Sequence, residues 1–487
     1  MGKSSSLLPL FLCSLLLCLS IFHIKHVDAF RTADGSEEWG YVPVRPKAHM
    51  FWWLYRSPQR VDHASKPWPT VLWLQGGPGA SGVGIGNFQE IGPLDTDLKP
   101  RNSTWLQKAD LLFVDNPVGT GYSFVEDTTA LVTTDWEAAT DLTALLKKLY
   151  NKNERLQRSP LYIVAESYGG KFAVTLGISI AKAIKAGELK LTFGGVALGD
   201  SWISPEDYVF SWGPLLLDVS RLDFLGAEKS NRLKSRRRKI LISFYFIYFD
   251  LICLSCLYVS LAEKIRRQLA AGQYWQATDT WSDLEGVITS SSAGVDFYNF
   301  MLDADEDPIS ASTSLEISEK LTMKKSYSTY LSSKASSTGS LDDLMNGIIK
   351  KKLKIIPQNV SWGGQSGGVF DSMVKDFMKP RISEVDELLS LGVNVTIYNG
   401  QVDLICATKG TEAWVRKLKW EGMKEFNKLE RKPLYCNNDR VTRGFVKSYK
   451  NLRFYWILGA GHFVPVEQPC IALNMLGDIT QSPAASS

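Results

Sequence analysis

Short runs of β-branched and aromatic residues, each closed by a turn signal, recur along this chain with helical patterns between them. That alternation restricts the fold more than any other feature. Thr70 to Gln75, Leu111 to Asp115, Leu161 to Ala165, Gly194 to Leu198, Val393 to Tyr398 and Phe454 to Leu458 read as buried strands. Thr134 to Leu149 and Gly170 to Lys185 carry helical spacing. Strand and helix in turn predict a mostly parallel, doubly wound sheet with helices on both faces, an α/β fold. The alternation fades from Pro205 to Pro380, where helical stretches dominate. The core is therefore expected in two parts, 30–204 and 381–487, around a largely helical cap insertion at 205–380. Within the insertion, the serine-rich Ser326 to Ser340 reads as a surface loop and Lys350 to Lys354 as a solvated face.

The 487 residues, 45% hydrophobic and 22% charged, supply enough apolar material for a sizeable core. Residues 1–29 read as a secretory signal: Lys3, a leucine-rich run from Leu7 to Phe22, then Val27 and Ala29 at signal-peptidase spacing. Secretion fits the three glycosylation sequons at Asn102, Asn359 and Asn394, and places the protein in the secretory pathway, bound for the extracellular space or a vacuolar or lysosome-like compartment. Of seven cysteines, Cys13 and Cys18 leave with the signal and Cys253 and Cys256 lie in an anomalous segment. Cys406, Cys436 and Cys470 remain, enough for one disulfide and one thiol, with the pairing left open. No cysteine stands at metal-site spacing with a histidine, and neither a metal nor an organic cofactor is expected.

The anomalous segment, Arg232 to Ser260, sets a basic cluster before about twenty largely apolar residues. A bilayer crossing there would separate residues before it from those after it and would leave the arginines on the lumenal side, against the positive-inside rule, so no membrane association is expected after signal removal. The formal charge of +4 also owes much to this segment. Six basic residues against Asp250 stand in it and one more net positive charge in residues 1–29, which leaves the remainder near −2 and removes the case for a nucleic-acid partner.

Ala165-Glu166-Ser167-Tyr168-Gly169 joins a predicted strand to a predicted helix, the setting of a nucleophile elbow. Small residues on either side permit the sharp turn, and the helix N-terminus favours developing negative charge. A serine needs a base, and after the signal only His49, His63 and His462 are present. In α/β-hydrolases the order is nucleophile, acid, histidine, so His462 alone fits. Asp403, just beyond the strand Val393 to Tyr398, is the preferred acid; Asp200, after Gly194 to Leu198, is its competitor, and Asp115 lies upstream of the serine. The oxyanion donors are expected from Gln75-Gly76-Gly77-Pro78-Gly79 and from the Tyr168 N–H, each worth on the order of 3 kcal/mol in the transition state. No Gly-Lys-Ser/Thr follows those glycines, so a phosphate loop is not supported.

Together, Trp73-Leu74-Gln75-Gly76-Gly77-Pro78-Gly79, Asp115-Asn116-Pro117-Val118-Gly119-Thr120-Gly121-Tyr122-Ser123, Glu166-Ser167-Tyr168-Gly169-Gly170 and Gly461-His462-Phe463-Val464-Pro465 resemble the serine carboxypeptidases. Glu90-Ile91-Gly92-Pro93-Leu94 and Asn399-Gly400-Gln401-Val402-Asp403 extend the likeness, in particular to the retinoid-inducible type and its plant serine-carboxypeptidase-like counterparts. The resemblance implies an α/β-hydrolase fold and removal of C-terminal residues from peptides and proteins through an acyl-enzyme on Ser167. It also implies that Gly77 and Tyr168 are the oxyanion donors, that Gln75, Gly76 and Glu166 bind the substrate carboxylate, and that Glu90 partners Glu166. Two close glutamates raise one pKa, so an acidic optimum is expected. The family usually has Asn at Gln75 and often Cys at Ala80, and Arg232 to Ser260 interrupts its pattern in the manner of translated intron sequence. Two other readings are an acyltransferase using glucose-ester donors, whose members commonly carry Asp where Glu166 stands, and a homologue silenced by the 232–260 insertion.

Overall fold

The computed structural model describes residues 29–61, 66–230, 260–304, 341–436 and 440–483. The signal segment, the Ser326 to Ser340 loop and the Arg232 to Ser260 anomaly lie outside these residues, apart from Ala29 and Ser260 at their edges.

Among the described residues twelve strands form one sheet: β1 (Phe30–Arg31), β2 (Glu37–Arg45), β3 (Ala48–Tyr55), β4 (Thr70–Leu74), β5 (Asp110–Val114), β6 (Phe124–Val125), β7 (Leu161–Glu166), β8 (Phe193–Gly199), β9 (Val395–Gly400), β10 (Lys432–Leu434), β11 (Gly444–Tyr449) and β12 (Leu452–Ile457). The spatial order is β1-β2-β3-β5-β4-β7-β8-β9-β12-β11-β10, with β6 paired to β3. The block from β5 to β12 is parallel and contains all six strands expected from sequence. β4, β5, β7 and β9 are buried throughout, as a sheet covered on both faces requires, and this is why they read as apolar runs rather than as alternation. Antiparallel flanks complete the sheet: β1, β2 and β3 on one side, β11 and β10 on the other. The sequence reading did not anticipate them.

The chain winds outward from β4 to β5, then returns to lay β7 on the opposite side of β4 and continues through β8 and β9 to β12. The winding thus reverses between β4 and β7, and a reversal in an open α/β sheet leaves a crevice at the carboxyl ends of its strands. Helix Asp135–Tyr150 is capped by Thr134, whose Oγ1 accepts the Glu137 N–H at 3.2 Å, while the Glu137 carboxylate reaches back to the Thr133 N–H at 2.6 Å. It packs beside helix Gly169–Lys185. Between β8 and β9 the described chain is mainly helical, with Pro205–Asp218, Leu261–Ala270, Tyr274–Ser291, Gly367–Phe377 and Ile382–Ser390.

A buried ion network joins those helices to the core. Arg381 donates two 2.6 Å bonds to Asp135 and one of 3.2 Å to Asp376, while Lys171 donates to Asp376 at 3.2 Å. Breaking such a pair costs more than forming it returns, because the remaining charge has no solvent. Among the described residues the disulfide is Cys436–Cys470, and Cys406 is the buried free thiol. Among the described residues no helix is long and apolar enough to cross a membrane.

Candidate active site

Ser167 follows β7 directly and precedes helix Gly169–Lys185 with φ of +60°, the left-handed conformation an elbow imposes on a non-glycine residue. Its neighbours must be small. A Cβ on Gly76 would stand 2.5 Å from Ser167 Cβ, one on Gly169 2.3 Å from the Leu74 carbonyl oxygen, and one on Gly170 2.3 Å from Ser201 Cβ. The Ser167 N–H donates to the Gly199 carbonyl at 3.1 Å, and the Trp202 N–H donates to the Ser167 carbonyl at 2.9 Å, so β8 and the loop beyond it hold the elbow.

His462 follows β12 and Asp403 follows β9, the parallel neighbour of β12, so register brings the two loops together. His462 Nδ1 lies 2.9 Å from Asp403 Oδ2, with both side chains fully buried. Bonded to a carboxylate, Nδ1 carries the proton, which leaves Nε2 the basic nitrogen. Asp403 Oδ1 accepts the Cys406 N–H at 3.2 Å, and the His462 N–H donates to the Tyr298 carbonyl at 2.8 Å. The segment around Tyr298 also accepts the Leu404 and Ile405 N–H groups at the Phe297 carbonyl, so one stretch of chain holds both loops. Asp403, Cys406 and His462 bring ligand-type atoms within 4.8 Å of one another. Burial pushes the Cys406 thiol well up, and His462 Nδ1 is engaged by Asp403.

Asp200, the competing acid, does not bond the imidazole. It is fully buried one strand away, and its Oδ1 accepts the Gly400 N–H at 2.7 Å. Asp115 accepts from Ser81 Oγ and from the N–H groups of Val83 and Tyr122, bracing the loops after β4 and β5.

The loop after β4 lies against the elbow: a Cβ on Gly76 would also sit 2.9 Å from the Tyr168 N. Gly77 has φ of +102°, open to glycine alone in practice. No side chain of the described residues caps the helix that begins beyond Tyr168; the Gly170 and Lys171 N–H groups turn back to the Ser167 and Tyr168 carbonyls, so the N–H groups left for an anion are those ahead of Gly170. Residues 364–366 clamp the loop from the helical side. Ser366 N–H donates to the Gly79 carbonyl at 2.8 Å, Ser81 N–H to the Gly364 carbonyl at 3.0 Å, and Gln365 Nε2 to the Pro78 carbonyl at 2.7 Å. Ala80, where the family often has Cys, bridges Gln365 through backbone.

Gln75 stands beside the serine with a settled orientation. The Trp73 indole N–H, a donor only, reaches Gln75 Oε1 at 2.6 Å, so Nε2 faces the two glutamates and donates to Glu90 Oε1 and Glu166 Oε1 at 2.9 Å each. Glu90 arrives on the π-helix Gly82–Ile91. Burial pushes it up to about 7, against the opposing pull of its hydrogen bonds to Glu166 and Gln75. A hydrogen bond between two carboxyls requires a proton on one of them, so the pair retains a proton.

The structure therefore brings Gln75, Gly76, Gly77, Glu90, Glu166, Ser167, Tyr168, Asp403 and His462 to the carboxyl ends of neighbouring strands. The sequons fall elsewhere, with Asn102, Asn359 and Asn394 all exposed. Trp73, Tyr298 and Gln365 were missed by sequence reasoning. Trp73 stands in a quoted motif, but that its indole N–H orients Gln75 is not written there; Tyr298 acts through a backbone carbonyl, which leaves no motif, and Gln365 meets its partner 287 residues away.

The serine carboxypeptidase family profile matches residues 29–482. Serine carboxypeptidase-like 51 of Arabidopsis thaliana is 60% identical over 489 residues, 99% of each chain. The retinoid-inducible serine carboxypeptidase of Rattus norvegicus is 48% identical over 93% of each. Among solved structures, the prohormone-processing carboxypeptidase Kex1Δp from Saccharomyces cerevisiae superposes with a TM-score of 0.70 at 19% identity, covering 91% of both chains, which establishes the α/β-hydrolase fold. With the fold, the profile and near full-length relatives in agreement, the chain belongs to the serine carboxypeptidase family.

Proposed function

We propose that this protein is a serine-type carboxypeptidase that releases C-terminal residues from peptides. The observation that carries this reading is the buried Glu90–Glu166 pair, bridged by the Gln75 amide and adjoining Ser167 in sequence, with burial pushing Glu90 up to about 7. An acid pair with a proton to donate, beside amide and glycine N–H groups, suits a substrate carboxylate and therefore the end of a chain rather than its interior.

Ser167 Oγ attacks the last peptide carbonyl as His462 Nε2 takes the hydroxyl proton, and Asp403 holds the imidazolium without accepting that proton. The carbonyl oxygen becomes an oxyanion facing the Gly77 and Tyr168 N–H groups. Collapse breaks the C–N bond, His462 protonates the departing amine, and the C-terminal amino acid leaves an ester on Ser167. Water, deprotonated by His462, then hydrolyses the ester and regenerates the serine.

The described helices between residues 205 and 380 form the cap over this crevice, and the side chains they contribute set residue preference. The working compartment is oxidising, a reading supported by the Cys436–Cys470 disulfide and the exposed sequons at Asn102, Asn359 and Asn394, and follows from secretion under the 1–29 signal.

The test is release of the C-terminal amino acid from an N-blocked dipeptide in mildly acidic buffer, with Ser167→Ala as the control. The substitution is expected to cost on the order of a millionfold in turnover with the fold retained. Comparable turnover by the variant, or none by either folded protein, refutes the assignment.

A further inference from the structure

The triad acid has an acidic neighbour that the mechanism leaves unused. Asp200 is the first residue beyond β8 and Asp403 stands in the loop beyond β9, and these strands are parallel neighbours with Gly199 opposite Tyr398. Asp200 has φ of +40°, so two adjacent strands, β7 and β8, are each followed directly by a non-glycine residue in a strained left-handed turn. Strain of this kind persists only where surrounding structure enforces it, and at β7 the residue is the nucleophile.

The surroundings of Asp200 fix its orientation. Oδ1 accepts the Gly400 N–H at 2.7 Å, the last backbone donor of the strand that leads to Asp403. Its own N–H donates to the Tyr398 carbonyl at 2.9 Å, and two residues later the Trp202 N–H donates to Ser167. The segment from Gly199 to Trp202 therefore touches both the nucleophile's turn and the acid's strand. Oδ2 is fully buried and receives no N–H or O–H from any described residue, while the carboxyl as a whole is the hydrogen-bond partner of Asp403. Two carboxylates cannot bond each other. The contact exists only with a proton between them.

We infer that Asp200 is a positioning residue, held as the neutral acid, that donates its proton to Asp403 and so orients the triad carboxylate and spreads its charge. The groups that face Asp200 agree. Asp403 and Cys406 come from the loop after β9, Tyr398 from β9 itself and Glu467 from the turn Val464–Glu467, while Glu166 on β7 shares both Tyr398 and Cys406 as neighbours. Acids and neutral groups dominate that shell. Burial, then the Asp403 charge, push Asp200 well above the ordinary carboxyl range. Asp403 already receives the Cys406 N–H and the imidazole, and the Asp200 proton is the donor that ties it to the strand beside the nucleophile.

The inference rests on Asp403 serving as the triad acid, and two variants test it. Asp200→Asn keeps an oxygen for the Gly400 N–H and supplies a neutral N–H donor to Asp403, so turnover and the pH profile should stay within about threefold of wild type. Asp200→Leu removes the donor. The charge then concentrates on Asp403, the imidazolium is favoured, and the acid limb of kcat/KM should move up by about one pH unit as kcat falls on the order of a hundredfold. An acid limb shifted in Asp200→Asn, or unmoved in a folded Asp200→Leu, overturns the proposal. Should the leucine variant not fold, the wild-type minus Asp200→Asn infrared difference spectrum at neutral pH decides: a protonated carboxyl C=O stretch is expected, and its absence overturns the proposal. That band does not depend on activity, so it separates failure of this inference from failure of the peptidase reading.

Discussion

The Glu90–Glu166 pair should make substrate binding depend on pH. With Glu90 pushed to about 7 by burial, the pair keeps its proton in acid and loses it above neutrality. A substrate carboxylate then meets a second negative charge where it had met a donor. Affinity scales with the fraction in the competent form, which falls tenfold per pH unit beyond the pKa. From about pH 5 to about pH 8 that fraction drops to roughly a tenth, so KM for an N-blocked dipeptide should rise roughly tenfold. The C-terminal amide of the same dipeptide has no carboxylate, and its KM should stay flat. In Glu90→Gln the side-chain oxygen still accepts from Gln75 and no ionisable proton remains at that position, so the inflection near neutrality should vanish. A flat KM for the acid substrate, an equal rise for the amide, or an inflection that survives Glu90→Gln would each refute the reasoning. The same displacement has a stability consequence. A carboxyl whose folded value lies above its unfolded one favours the fold below about 4.5, and that contribution is lost as pH rises through about 7.

Gly76→Ala should lower kcat by about 10²–10³-fold, because its Cβ would fall 2.5 Å from Ser167 Cβ and 2.9 Å from the Tyr168 N, displacing an oxyanion donor; steady-state kinetics on folded protein checks this. Arg381→Ala leaves Asp135 and Asp376 buried without their main cation and should cost about 3–5 kcal/mol in urea denaturation. Opening Cys436–Cys470 by Cys470→Ser releases a 34-residue closure and should cost on the order of 3–4 kcal/mol in the same measurement.

The parallel block was legible because its strands are buried on both faces. Runs such as Thr70 to Leu74 and Leu161 to Glu166 have no exposed side to dilute the signal. The antiparallel flanks gave less: β11 is mostly half-exposed and β10 has three residues, so neither carries a run that stands out. The elbow was legible for a local reason too, since two of the small residues that make room for the turn, Gly169 and Gly170, follow Ser167 closely in the chain, whereas Gly76 reaches it from the loop after β4. His462 was found through scarcity.

What sequence alone determined, then, was whatever is written within about one turn of chain: strand type, elbow, order of chemistry, and the motifs of the family. Tertiary structure decided between acids and between partners. Asp200 and Asp403 both follow parallel strands and are chemically alike, and only the packing of the β9 and β12 loops turns one toward the imidazole and the other toward Gly400. The choice of Cys436 and Cys470 over Cys406, and the meeting of Lys171 with Asp376 across 205 residues, were settled the same way. Such pairings depend on loop closure and burial over long separations, and no local periodicity records them.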